Sequence, residues 1–142
     1  MWHASATDAF RASCETLGLN LLSTVDMKDS EEYFESILTE TFAHYGDQTD
    51  GIYITSGLSA PLCRYLEVNG YDIPFVAFDT YEDIKSYMKK GIISATIAQN
   101  VGNQMKIAFE LLVKYLITGE ECPKTVYTDV QLVLKSNMHQ FD

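Results

Sequence analysis

The sequence predicts an α/β fold, a three-layer sandwich in which a mainly parallel sheet carries helices on both faces. Two observations predict it. Short runs rich in β-branched and aromatic residues, "GIYITS" (51–56), "IPFVAF" (73–78) and "ISATIA" (93–98), alternate with amphipathic stretches. Strands separated by helices of about ten residues or more pair in parallel, because each crossover returns the chain to the same end of the sheet. The second observation is where the runs end: Asp79 follows "FVAF" and Gln99 follows "ATIA".

Each element has its own local signature. From Thr7, Phe10, Cys14 and Leu17 recur at helical spacing and stop at Gly18, a residue suited to the left-handed cap. A short apolar run, Leu19 to Val25, comes next. "DSEEYFESILTETFAHYG" then opens with Asp29 three residues before Glu32, a capping-box pattern, and its stripe is Phe34, Ile37, Leu38, Thr41 and Tyr45, closed by Gly46. After "GIYITS", the segment "LSAPLCRYLEVNG" offers Ser59 as N-cap, Pro61 in the first turn and Gly70 beyond the end. Thr80 and Asp83 mark the start of a helix carrying Tyr81, Ile84 and Met88, and Gly91 ends it. The plain reading of Lys85, Lys89 and Lys90 is a set of cations complementing that helix's C-terminus.

Val101 to Ile117 is apolar around most of its circumference. Val101, Met105, Ala108, Phe109, Leu112 and Leu116 form one face, Ile107, Leu111 and Tyr115 another, and Asn103, Lys106, Glu110 and Lys114 the polar stripe. Such a helix needs partners beyond one sheet face. Met88, Met105, Tyr87 and Phe109 are accordingly expected in the core. The last run, "TVYTDVQLVLKS" (125–136), reads as a strand after the turn-like "TGEECPK".

Composition bounds the function. A chain of 142 residues with 46% apolar and 21% charged residues matches one ordinary globular domain. A formal charge of −10 removes the electrostatic footprint for a phosphate backbone, so this chain by itself is not expected to bind DNA. No run approaches the ~18 apolar residues of a membrane span, and "MWHASATDAF" lacks the parts of a signal peptide. Three widely spaced cysteines, Cys14, Cys63 and Cys122, argue against a disulfide framework and for a cytoplasmic setting, and with the scattered His3, His44 and His139 they make no metal-ligand spacing. No G-x-G-x-x-G, P-loop, G-x-S-x-G or H-E-x-x-H occurs, so neither an enzyme nor a cofactor or metal is expected.

In an open parallel sheet, ligands bind beyond the carboxyl ends of the strands, which makes Asp79 and Gln99 the candidate binding residues. Asp79 can also be read as a helix-starting acid and Gln99 as a surface amide. A carboxylate accepts from two neighbouring hydroxyls while an amide both donates and accepts, so the pair suits a polyol.

The order of elements together with "AFD" (77–79) and "ATIAQ" (95–99) resembles the carboxyl-terminal subdomain of the type I periplasmic-binding-protein fold, as in the effector domains of LacI/GalR (lactose repressor) family transcription regulators and in ribose-type binding proteins. The similarity runs from about Thr7 to the end and is most specific over 50–120. It implies that Asp79, matching the aspartate of the family's "GFD", binds sugar hydroxyls, and that Gln99 lines the same cleft. Ser56-Gly57 stand where the family usually has Asn-Asp, which makes Ser56 a third ligand-binding candidate; Ala6 replaces a ligand-contacting arginine, and no clear stacking aromatic stands near Met27.

The resemblance further implies a single ligand-binding subdomain over 1–142, with the DNA-binding and amino-terminal subdomains outside this chain, and a helix Val101 to Ile117 that packs on the other subdomain. The expected function is effector sensing in a LacI-family regulator, the effector being a sugar or related small polar molecule. DNA is then contacted only through a helix-turn-helix outside this chain, homodimers form through carboxyl-subdomain surfaces, and no membrane is involved. The alternative is half of a periplasmic or surface sugar-binding protein of a transporter.

Overall fold

Phe75 and Ala77 are fully buried in an inner strand of a four-stranded sheet, and the rest of the fold is laid against them. The computed structural model describes residues 2–26 and 31–141. Its order is α1 (Trp2–Leu17), α2 (Glu31–Tyr45), β1 (Ile52–Tyr53), α3 (Ser59–Asn69), β2 (Phe75–Phe78), α4 (Glu82–Lys90), β3 (Ala95–Ala98), α5 (Val101–Thr118) and β4 (Gln131–Val133). The strands lie in sequence order: β1, β2 and β3 are parallel, and β4 adds antiparallel to β3.

Strand alternation separates the two faces of the sheet. Ile52, Phe75, Ala77 and Ala98 belong to the face that meets Leu38 and Phe42 of α2, Leu62 and Leu66 of α3, and Ile84 and Met88 of α4, and this is the main core. Tyr53 and its register partner Val76 turn to the opposite face. There the Tyr53 ring stacks on Phe10 of α1 with centroids 4.7 Å apart, which sets α1 as the third layer.

The ends of the helices follow local chemistry. Gly70 and Gly91 close α3 and α4 with φ of 73° and 88°, the left-handed conformation that glycine adopts without a Cβ penalty. Ser59 is the first residue of α3 and not its cap; its fully buried hydroxyl accepts from the Phe78 amide at 3.4 Å and pins α3 to β2. Tyr81 occupies the cap position of α4, with Glu82 and Asp83 in the first turn where acids favour the helix dipole. The Asp29–Glu32 capping box and Met27 lie outside the residues whose contacts are described.

Three further expectations are corrected. Met105 and Phe109 are 67% and 66% exposed and no residue of α5 is buried, so the all-round apolarity of this helix does not reflect burial within the chain. Lys85 is not a surface cation at a helix end: it is 5% exposed and donates to the Phe141 carbonyl at 2.7 Å. Its neighbour in the proposed cluster, Lys90, reaches back to Glu67 of α3 at 3.0 Å. The terminal strand is shorter than its sequence pattern, because only Gln131–Val133 find a partner on β3.

Leu66 is 1% exposed and Val68, two positions on, is 84% exposed. In denaturant titrations Leu66→Ala is expected to cost about 2 to 5 kcal/mol and Val68→Ala about 0.5 kcal/mol or less. The cysteines divide in the same way. Burial pushes the Cys63 thiol up to about 12, with the nearby Glu67 charge adding to the effect. Because the thiolate is the nucleophile, Cys63 stays unreactive near neutral pH. Mass spectrometry after alkylation of the native protein is expected to show Cys122, which is exposed, modified first, and buried Cys14 and Cys63 only after unfolding.

Candidate functional site

Beyond the carboxyl ends of β2 and β3 the chain leaves an open cleft of about 410 Å³. Asp79 follows the last residue of β2 and Gln99 follows the last residue of β3; both line the cleft, with Asn100, Tyr81, Gln131 and Phe141 around them. The Gln99 side-chain amide donates to the Asp79 carboxylate at 2.7 Å. The two residues read from the strand ends are thus in direct contact. One carboxylate oxygen is engaged, and the second carboxylate oxygen and the amide oxygen supply further acceptor lone pairs for a ligand.

The backbone that aims Asp79 is unusual. Its φ is 71°, one of two positive values among the described non-glycine residues; the other is Asn100, at 52°, on the same cleft. Left-handed backbone is sterically costly for an L-residue and is tolerated best by Asp and Asn. The neighbouring strand holds it in place. The Asp79 amide donates to the Ile97 carbonyl at 2.9 Å, and the buried Thr96 hydroxyl donates to the Asp79 carbonyl at 2.6 Å. Gln99 is braced in turn, since the Gln104 amide donates to its carbonyl at 2.7 Å. Asn100 caps α5, its side chain accepting from the Asn103 amide at 3.4 Å.

Ser56 lies in the loop between β1 and α3, where its hydroxyl accepts from the Leu58 amide at 3.4 Å, and it is not among the residues lining the cleft. Gln131, Gln140 and Phe141 line it unannounced by the sequence: β4 brings the first, and a 3-10 turn at Met138–Phe141 brings the other two. A strand-end rule applied to parallel strands passes over an antiparallel edge strand and the turn behind it. Among the described residues no group of three or more His, Cys, Asp or Glu side chains could hold a metal ion, and no helix is long and apolar enough to cross a membrane.

Residues 1–121 match the periplasmic binding protein domain family. The chain belongs to this family. No protein of curated function matches it. Among solved structures, a solute-binding protein of an ABC transporter from Agrobacterium vitis, bound to α-D-tagatopyranose, aligns with a TM-score of 0.78 at 23% identity, over 92% of this chain and 44% of that one. A Burkholderia graminis solute-binding protein in complex with D-arabinose gives 0.74 at 24% identity, over 85% and 44%. A putative LacI transcriptional regulator from Bacteroides fragilis gives 0.63 at 23% identity, over 80% and 39%. This periplasmic-binding-protein domain therefore spans less than half the length of these three structures, and at these identities they establish the shared fold.

Asp79→Ala and Asp79→Gly both remove the Gln99 contact and differ in the backbone penalty at φ 71°. Urea titration is expected to find the glycine variant more stable than the alanine variant by about 1 kcal/mol. Equal stability would mean that this backbone stores no strain.

Proposed function

We propose that this chain is a ligand-binding lobe of a sugar-binding protein, and that a sugar or related polyol is held in the cleft beyond β2 and β3 by Asp79 and Gln99. One observation carries the reading. A carboxylate and an amide, already oriented against each other at 2.7 Å, stand at adjacent strand ends, where an open parallel sheet receives its ligands. Their combined donors and acceptors match vicinal hydroxyls, and bracing from Thr96 and Gln104 lets the pair meet a ligand without first being ordered. The fold neighbours that hold D-arabinose and tagatopyranose support this substrate class.

Two settings use such a lobe. Capture of a sugar for a transporter is supported by the predominance of solute-binding proteins among the neighbours. Effector sensing in a LacI-family regulator is supported by the regulator among them and by three cysteines that are all free thiols. In either setting the exposed apolar face of α5, with Met105, Phe109, Leu112 and Leu116, takes a covering surface. A second lobe or a second copy of the chain would supply it. Retention of a DNA fragment by the intact protein, altered by sugar, would favour the regulator; sugar capture with no DNA retention would favour transport.

Isothermal titration of the intact protein with D-arabinose and D-tagatose tests the site. Asp79→Ala is expected to weaken binding by about 1.5 to 3 kcal/mol, the range for losing a hydrogen bond to a charged group. Unchanged affinity would reduce Asp79 to a helix-starting residue.

A further inference from the structure

Lys85 poses a question that the cleft answers. An ammonium group at 5% exposure costs several kcal/mol to desolvate unless it is well bonded. The Lys85 ammonium donates to the Phe141 carbonyl at 2.7 Å and stands 3.4 Å from Glu82. A second lysine fastens the same terminal segment to α4: Lys135 donates to the Lys89 carbonyl at 2.8 Å. Between the two tethers the chain is folded tightly on itself. Asn137 accepts from the Leu134 amide at 2.7 Å and donates to the Leu132 carbonyl at 3.2 Å, and Met138 is buried in the main core. Residues 134–141 therefore form a built turn and not a frayed end.

That turn delivers Gln140 and Phe141 to the cleft that holds Asp79 and Gln99. Asp79 and Gln99 offer only polar atoms, whereas small-molecule sites combine a few polar groups with a larger apolar or aromatic wall. Three large apolar side chains line this cleft. Tyr81 is 65% exposed and Val101 is 54% exposed, but Phe141 is half-buried and packs against the main core, so it alone has a fixed seat.

We propose that the carboxyl-terminal turn is the selectivity wall of the cleft: Phe141, anchored through Lys85, supplies the apolar surface on which the C–H face of a cyclic sugar rests. Gln140 and Gln131 offer amides to the hydroxyls at the ring's edge. The inference rests on the reading of Asp79 and Gln99 as the sugar-binding pair and adds the ligand's shape to it. A ring-closed sugar has a flat apolar face, and an open-chain polyol has hydroxyls without one.

The test is titration of the intact protein with D-arabinose and D-tagatose, and with galactitol as the open-chain probe. Phe141→Ala is expected to weaken the cyclic sugars about five- to tenfold, the size of an aromatic contact, and to change galactitol by about twofold or less. Phe141→Tyr is expected to restore the cyclic sugars. Lys85→Met removes the tether without leaving a buried charge and is expected to reproduce the Phe141→Ala pattern, with circular dichroism confirming the fold. Phe141→Trp, read by indole fluorescence, covers the case in which Lys85→Met fails to fold: the emission is expected to shift on adding a cyclic sugar and not on adding galactitol. If Asp79→Ala weakens the sugars while Phe141→Ala leaves all three ligands unchanged, the wall is overturned and the polar pair stands. If no ligand binds the unaltered protein, both fall together.

Discussion

A single hydroxyl proton sits at the centre of this fold's chemistry. Thr96 is fully buried in β3 and donates to the Asp79 carbonyl across the strand pair at 2.6 Å. With the Asp79 amide bonded to Ile97, β3 grips both backbone polar groups of a residue whose φ of 71° is otherwise unfavourable. This grip holds Asp79 against Gln99, and Gln99 leads directly into α5 through the left-handed Asn100. The path from core to cleft is therefore short. Ala77, paired with Thr96, is in the main core, and Asp79 two residues later is in the cleft.

The same economy explains why the core lies mainly on one face of the sheet. Phe75 and Ala77 meet the side chains of α2, α3 and α4, and buried Ser59 ties α3 to the amide of Phe78 just before Asp79. Strand ends held this firmly can keep polar side chains oriented in an open cleft. The opposite face carries α1 on Tyr53, while Leu132 of β4 remains 58% exposed there and α5 has no buried residue. The asymmetry leaves apolar surface uncovered, on a chain that spans less than half the length of these structural neighbours.

The parts of the fold that were legible from sequence are those governed by local chemistry. The three parallel strands announced themselves by β-branched runs, Gly70 and Gly91 by their cap positions, and Asp79 and Gln99 by falling immediately after strands. What could not be read depends on contacts distant in sequence. Thr96 looks like any strand threonine until β3 is laid beside β2. Lys85, followed by two more lysines, reads as one of a set of cations complementing a helix C-terminus, yet it borders the Ile84–Met88 stripe and turns inward. Phe141 reaches the cleft only because Lys85 and Met138 draw the terminal turn onto the body. The apolarity of α5 is plain in the sequence, but apolarity alone does not fix whether a helix is buried, and no residue of α5 is.

A crystal structure of the protein soaked with D-arabinose or D-tagatose tests the proposed sugar site at Asp79 and Gln99. Sugar hydroxyls are predicted within hydrogen-bonding distance of the Asp79 carboxylate and the Gln99 amide, in the cleft beyond β2 and β3. A sugar bound elsewhere, with the Asp79 and Gln99 side chains still turned only to each other, would rule out this site.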